Sequence, residues 1–321
     1  MTTPISREEF FAEVKQARER KRTPDLSKKS LRNETLRGEN LLGVKLVGAD
    51  LQGCNLTEVN LQGANLQNAV LTGVNLQHAD LQGANLEGAD LQGASLLGTN
   101  LQGANLEKTR LQNCNLQEAN LQQVKLQKAT LQNTLMQKAD LRGADLSGLD
   151  IRQVDLTTAQ LEGVKLSGAN LSGANMTGFD LSGVSLQGAN LENTSLQKAN
   201  LSQADLSRPE SGSFLGFGSK APTNLVGADL RESNLTQIDL TEANLRGANL
   251  SGADLTEAEL TTAIFAEANL QDAILKGANL RETDLSKCQL QRANLRSANL
   301  RAANFKNANL QDAILQQVTA I

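Results

Sequence analysis

The amino-acid sequence predicts an all-β fold in which one short unit is repeated along nearly the whole chain. A large apolar residue, almost always Leu, recurs at every fifth position, at 37 centres from Leu26 to Leu206 and 19 from Leu225 to Leu315. Aromatic residues make up only 2% of the 321 residues, which excludes an ordinary globular core. A period of five matches neither an α-helix nor a long strand, so the chain must turn about once per unit.

Each unit carries the same polarity pattern, as in the segment Ala84–Gly88. The small residue two before the centre and the centre itself point to the same side of a short strand. A Gly two after the centre supplies the positive φ that the third residue of a type II turn needs. Units without Gly, such as Leu126–Ala129, are expected to use another turn type. The simplest fold is a closed coil with Leu and Ala inside and turns outside, and the spacing leaves open how many units close it.

This array of A-(N/D)-L-x-x units, from about residue 40 to residue 318, resembles the pentapeptide-repeat family and in particular its cyanobacterial members. The resemblance implies a right-handed quadrilateral β-helix with four units per coil. The 56 units would then form about 14 coils, roughly 65 Å long at a strand spacing of about 4.8 Å. Because side chains fill the interior, we expect no catalytic cavity, no enzyme activity and no cofactor.

Two interruptions divide the predicted solenoid, which is otherwise one continuous domain. Residues 1–24 are predicted to form a capping helix and linker, residues 25–206 a first block, residues 207–224 an inserted loop and residues 225–321 a second block. The helix is expected over residues 6–22, from a capping-box pattern followed by apolar residues at helical spacing. It covers the first coil or, alternatively, docks a partner.

Two places are candidate partner-binding sites. In the inserted loop, Phe214, Leu215 and Phe217 form either a hydrophobic flap on the solenoid or a partner-binding element. In the second block, nine acids in residues 229–272 precede seven bases in residues 273–306. On a four-unit coil, two of these bases would stack, Arg281 and Arg301. The uneven charge is either solvation or a contact surface for a complementary partner.

Several functional classes are not expected from this sequence. Cys54, Cys114 and Cys288 occupy the small inward position, and the lone His78 faces outward, so we predict neither disulfides nor a metal site. The balance of 31 bases against 35 acids argues against a nucleic-acid partner. No segment is apolar enough for a signal peptide or a membrane span, so a soluble, cytoplasmic protein without membrane contact is expected.

Two functions remain to be compared. The first is a non-enzymatic, regulatory scaffold that binds a protein partner, which the sequence does not identify. The alternative, implied by the resemblance, is a DNA mimic that modulates a type II topoisomerase such as gyrase. A mimic of 65 Å would need roughly 38 negative charges, and the net charge is −4, which favours the scaffold. The C-terminal segment shows no capping helix, so a homodimer through an open last coil is a further candidate.

Overall fold

The computed structural model describes residues 2–207 and 222–319. Its regular elements are the strand β1 (Thr3–Pro4), the helix α1 (Arg7–Glu19) and the strand β2 (Lys29–Ser30), and β1 pairs with β2 in parallel. The rest of the described chain alternates tight turns with single parallel bridges. Two compact units are present, Met1–Gln160 and Leu161–Ile321.

Each unit is a parallel β-helix whose coil contains four five-residue repeats. The bridges join residues 20 positions apart, as in the column Asn65, Asn85 and Asn105. Between adjacent coils, the Leu66 N–H donates to the Asn85 carbonyl at 2.7 Å, and the Asn85 N–H donates to the Ala64 carbonyl at 2.9 Å. The ladder therefore pairs backbone groups coil to coil and leaves one repeat on each of four sides. The total of about 14 coils stays a prediction.

The turns depart from the expectation that only Gly-containing units use a left-handed residue. In the units without Gly that carry Lys two after the centre, Lys128, Lys138 and Lys198 have φ of 62°, 59° and 59°. The prediction of another turn type for these units was wrong. The coil-to-coil ladder specifies the backbone path at these corners, and the cost of the left-handed conformation, about 1–2 kcal/mol per residue, is too small to override it.

Asn and Asp precede the centres because their side chains stabilise the following turn. In the repeat around Leu66, Asn65 Oδ1 accepts a hydrogen bond from the Gln67 N–H at 3.1 Å. The turn closes through the Ala69 N–H, which donates to the Leu66 carbonyl at 3.0 Å. This side-chain oxygen provides an acceptor for the Gln67 N–H, which the tight corner would otherwise leave to bond water.

The interior of each coil is filled by the centre residues and by the small residues two before them. Every centre from Leu26 to Leu206 and from Leu225 to Leu300 is buried. Each Leu contributes about 2 kcal/mol through burial. Polar residues at the small position are satisfied internally: Thr99 Oγ1, for example, donates to the Leu76 carbonyl at 2.8 Å.

The helix α1 begins at a complete capping box. Ser6 Oγ accepts from the Glu9 N–H at 3.2 Å, and a Glu9 carboxylate oxygen accepts from the Ser6 N–H at 2.9 Å. Phe10 and Val14, four residues apart on one side of α1, are buried. The amphipathic helix predicted over residues 6–22 is therefore present, slightly shorter than expected.

Two arginines of α1 bind the neighbouring coil of the same unit. Arg7 donates to the Thr35 carbonyl at 2.9 Å, and Arg18 donates to the Asn40 carbonyl at 2.7 Å. Arg7 also pairs with Glu39 at 3.2 Å. These contacts place α1 against the coil that follows it in sequence. The division of the chain into the four segments named above stays a prediction.

The coil register continues across the inserted segment within the second unit. Asn190 bridges Asn224, and Ser195 bridges Asp229, in each case 34 positions on instead of 20. The difference corresponds to the 14 residues 208–221, which lie outside the described part of the chain. The repeats on either side of the insertion therefore form consecutive layers of one ladder.

Candidate partner-binding surface

Of the five predicted site residues, the structure describes two. Phe214, Leu215 and Phe217 lie outside the described residues, and their assignment stays a prediction. Arg281 and Arg301 lie on the same side of adjacent coils, where the Glu282 N–H donates to the Arg301 carbonyl at 2.9 Å.

Two neighbouring sides of the second unit carry this surface. We call them the Leu275 side, with centres 235, 255, 275 and 295, and the Leu280 side, with centres 240, 260, 280 and 300. On the Leu275 side, Lys276 and Arg296 stack in the same way, since the Gly277 N–H donates to the Arg296 carbonyl at 2.9 Å. We call Lys276, Arg281, Arg296 and Arg301 the basic patch. All four residues are exposed.

An Asp directly before a centre neutralises the Arg that follows the centre in the same unit, whereas Arg246, which follows Asn244, is neutralised by Glu267 of the next coil. In units with Asp at that place, the carboxylate binds the Arg of the same unit through two hydrogen bonds. Asp140 with Arg142 and Asp229 with Arg231 show this geometry, with O–N distances of 2.6–2.9 Å. The same arginine hydrogen bonds lower the pKa values of both carboxyl groups. An Asp-x-Arg unit is therefore close to electrically neutral.

The arginines of the basic patch follow Asn instead of Asp. Asn279, Asn294 and Asn299 use their amide oxygen for the backbone N–H two residues on, and they carry no charge to offset the guanidinium. Arg281 pairs with Glu282 at 2.7 Å. Within residues 2–207 and 222–319, the other three members of the patch, which are Lys276, Arg296 and Arg301, have no ion pair.

Acidic residues occupy the preceding coils of the same two sides. Asp254 and Glu257 lie on the Leu275 side, and Asp239 and Glu259 lie on the Leu280 side. We call these four the acidic patch. Each accepts a hydrogen bond from an uncharged group: Glu257, for example, accepts from Gln237 Nε2 at 2.9 Å. No ion pair of these four is found among the described residues.

An exposed apolar side chain lies at the boundary between the two patches. Ile274 is 38% exposed, and it bridges Asp254 on one coil and Asn294 on the next. The sequence reasoning missed this residue. The signal was available, because Ile274 stands directly before a centre, where most units have Asn or Asp.

The described chain offers little reactive chemistry. Burial raises the pKa of Cys114 and Cys288 to about 12 and that of Cys54 to about 11, and all three are free thiols. Cys114 Sγ donates to the Leu91 carbonyl at 2.9 Å, as Thr does at equivalent positions. In residues 2–207 and 222–319, no group of three or more His, Cys, Asp or Glu side chains could hold a metal ion.

The comparison with known families agrees with the repeat. The family model described as pentapeptide repeats matches eight segments, residues 36–73, 69–107, 119–157, 139–178, 180–208, 223–261, 263–301 and 284–317. The chain belongs to the pentapeptide-repeat family. Its fold class, a right-handed quadrilateral β-helix with a short N-terminal helix, is thereby confirmed. Pentapeptide-repeat proteins are generally non-enzymatic scaffolds that mediate protein interactions.

Solved structures of similar proteins include two from cyanobacteria. Rfr23 from Cyanothece 51142 is 30% identical. The match covers 40% of this chain and 99% of the Rfr23 chain, with a TM-score of 0.36. HetL from Nostoc sp. strain PCC 7120, which is involved in heterocyst differentiation regulation, is 26% identical over 96% of this chain and 95% of its own, with a TM-score of 0.21. QnrB1, a plasmid-mediated fluoroquinolone resistance protein, is 14% identical. The match covers 91% of this chain and 93% of QnrB1, with a TM-score of 0.24. No curated protein matches the sequence.

The last coil leaves several of its centre residues partly exposed. In the described part of the last coil, Phe305 and Leu310 are partly exposed, and Leu315 is 42% exposed. The homodimer through this coil stays a prediction.

None of the described helices combines the length and the apolar character that crossing a bilayer requires.

Proposed function

We propose that this protein is a non-enzymatic scaffold that binds a protein partner, with a regulatory rather than a chemical outcome. One observation carries the proposal: three of the four cations in the basic patch have no counter-charge among the described residues. Elsewhere in the chain, units such as Asp229-Leu230-Arg231 neutralise their own Arg. Uncompensated, exposed guanidinium groups are well suited to binding the carboxylates of a partner.

The side-chain geometry supports binding more than catalysis. The interior of each coil is filled by buried centres such as Leu255 and Leu260, which leaves the outer surface to make contacts. Turn residues such as Arg301 project from a backbone that the coil-to-coil ladder holds in place. A rigid backbone lowers the entropy cost of presenting several contact groups at once.

The charge pattern does not favour a topoisomerase-modulating DNA mimic. Within the acidic segment 229–272, Asp229, Glu267 and Asp272 are paired with arginine. These acids therefore contribute little to a negative surface potential. A duplex mimic needs uncompensated acids at close to the phosphate density of DNA.

The experiment compares immobilised wild type with an Arg281→Glu/Arg301→Glu variant in affinity capture. Lys306→Glu is the matched control, because Lys306 is an exposed turn residue of the same segment on a different side. We expect a defined set of proteins to be retained by wild type and by the control but lost from the double variant. Equal retention by all three would contradict the role of the two arginines.

The inserted loop is tested by a second variant in the same assay. Replacing Phe214 and Phe217 with Ser removes the aromatic groups of the loop without touching the repeats. We expect reduced capture if the loop contributes to the partner site. If capture is unchanged in this variant and also in the arginine variant, the scaffold proposal fails for both surfaces.

A further inference from the structure

The Leu275 side continues one coil further, to the centre at 315, and it carries an exposed apolar column. Ile274, Asn294 and Ile314 stand directly before successive centres of this side and are joined by parallel bridges. Ile274 is 38% exposed and Ile314 is 43% exposed, at a place where most units have Asn or Asp. Both side chains project outward, because the residue before a centre points away from the buried interior. Two apolar side chains therefore lie in one line, separated by a single amide.

Two cations lie along one edge of this column. Lys276 follows Ile274 across the buried centre Leu275, and Arg296 follows Asn294 in the same way one coil later. Both cations are exposed, and neither has an ion pair among the described residues. We call these two residues the cationic edge. An apolar line and a line of uncompensated positive charge thus lie next to each other on a single side of the coil.

The other borders of the column carry no net positive charge among the described residues. At the opposite edge, Arg292 binds Asp272 through two hydrogen bonds of 2.7 Å, and Asp312 lies one coil further along. On the preceding coil, Asp254 is bridged to Ile274. Acidic groups of a partner are therefore attracted to the cationic edge alone.

The backbone of the column offers no free edge to a partner strand. The Ile274 N–H donates to the Ala253 carbonyl at 2.9 Å, and the Ile274 carbonyl accepts from the Leu255 N–H at 2.7 Å. The Asn294 N–H and carbonyl are bonded to the preceding coil in the same way. Addition of a strand requires unpaired backbone groups along a sheet edge. Recognition on this side must therefore use side chains.

The spacing along the column matches an α-helix. Ile274 and Ile314 are two coils apart, which is about 9.6 Å at a strand spacing of about 4.8 Å. Seven residues of a helix rise about 10.5 Å and complete close to two turns, so residues i and i+7 project from the same face. In an extended strand, residues on one face are separated by about 6.8 Å or about 13.6 Å, and neither distance fits.

We infer that the Leu275 side binds an amphipathic α-helix of a partner protein. Apolar residues i and i+7 of that helix contact Ile274 and Ile314, and acidic residues line the flank that faces the cationic edge. The inference rests on the proposed function, because it names the chemistry of the partner that part of the basic patch binds. Helices that dock on protein surfaces commonly do so through apolar anchors at this spacing. The charges at one edge fix the orientation of the helix.

Synthetic peptides test the inference on the full chain. The probe is a helical peptide of about 20 residues, with Leu at positions i and i+7 and Glu along one flank. A second peptide carries Lys in place of each Glu. A third has the composition of the first, with its two Leu residues nine positions apart and thus on opposite faces of the helix. In calorimetric titrations at low salt, we expect wild type to bind the first peptide saturably and the other two at least about tenfold more weakly.

Two double variants locate the bound peptide. Ile274→Asn/Ile314→Asn installs the commonest residue before a centre, and Lys276→Gln/Arg296→Gln installs the commonest residue after one. Each should weaken binding of the first peptide at least about tenfold. The matched control is Ile264→Asn, because Ile264 is 40% exposed at the same place in its unit, on the opposite side of the coil. This control should bind the first peptide as wild type does.

Several outcomes would overturn the inference. They are a wild type that does not bind the first peptide, equal binding of all three peptides, and a double variant that binds as tightly as Ile264→Asn. A second copy of the chain is the other occupant to consider. If wild type self-associates in sedimentation velocity and Ile274→Asn/Ile314→Asn abolishes this association, a homodimer covers the column and the inference is also overturned.

The result is separable from the proposed function. If no peptide binds but affinity capture depends on Arg281 and Arg301, the helix site is overturned and the scaffold function stands. If peptide binding requires Ile274 and Arg296 while capture is unaffected by Arg281→Glu/Arg301→Glu, the helix site is supported and the role of the two substituted arginines is contradicted.

Discussion

The left-handed turn residues make a quantitative prediction about stability. Thr262 has φ of 58°, a conformation that is strained for a β-branched residue, and its hydroxyl bonds only the carbonyl of Thr261. Replacing it with Gly removes about 1–2 kcal/mol of backbone strain. The greater freedom of Gly in the unfolded chain subtracts about 0.4–1 kcal/mol. We therefore expect Thr262→Gly to raise the free energy of unfolding by about 0–1.6 kcal/mol.

The matched control is a Thr→Gly substitution at the residue directly before the left-handed residue of an equivalent turn. Thr241 precedes the left-handed residue of its turn and does not have positive φ. Thr241→Gly should therefore lower the free energy of unfolding by about 0.5–1 kcal/mol. The measurement is guanidinium denaturation of both variants and of wild type, with unfolding monitored by circular dichroism. If Thr262→Gly destabilises as much as Thr241→Gly, the turn carries no strain and the reasoning is refuted.

Three other predictions concern the core, the helix and pH. All three thiols, including Cys114, should resist a thiol reagent at pH 8 in the folded protein and react fully in denaturant, because they are buried with raised pKa values; rapid reaction of the folded chain would contradict their placement. Phe10→Ala should cost about 3–5 kcal/mol of local stability and speed amide hydrogen exchange in α1, while exchange in the second unit stays unchanged. Arg142 lowers the pKa of Asp140 below 3.8, so the stability that Asp140→Asn removes should be constant above about pH 5 and shrink as the pH falls through the folded-state pKa; a difference independent of pH would refute the pairing.

Much of the binding surface follows from the local sequence once the coil is known. The stacking of Arg281 on Arg301 depends only on their separation of 20 residues and on four repeats per coil. The pairing of Arg with Asp in Asp-x-Arg units, and its absence in Asn-x-Arg units, could also be predicted from the sequence. The residue before the centre and the Arg after it belong to the same short turn, so their side chains lie close together. What the spacing could not supply was the pairing of side chains between coils. Glutamine amides illustrate this: Gln62 donates to Asp80, 18 residues on, whereas Gln92 donates to Gln112, the next Gln of its own column.

The turn conformation marks the limit of local propensity. Residue preference suggests that Gly units and Lys units turn differently, yet Lys128 and Gly143 share a left-handed φ of 62° and 68°. Tertiary context decides, because each corner must return the chain to a ladder position that the coil above it already occupies. Ile274 differs from this case: apolar character alone predicts burial, but its place directly before a centre is an outward position of the repeat, so its exposure was readable from the sequence.

The repeat, the inward and outward positions, the N-terminal helix and the inert cysteines could all be predicted from the amino-acid sequence. These features depend on periodicity and on capping chemistry within a few residues, and the buried centres from Leu26 to Leu300 follow that periodicity directly. The three-dimensional structure was needed to show that units with and without Gly share a left-handed φ and which charges pair between coils. It also located Ile274 between the two patches. These properties depend on contacts between residues about 20 positions apart, whose free energies appear only when successive coils are stacked.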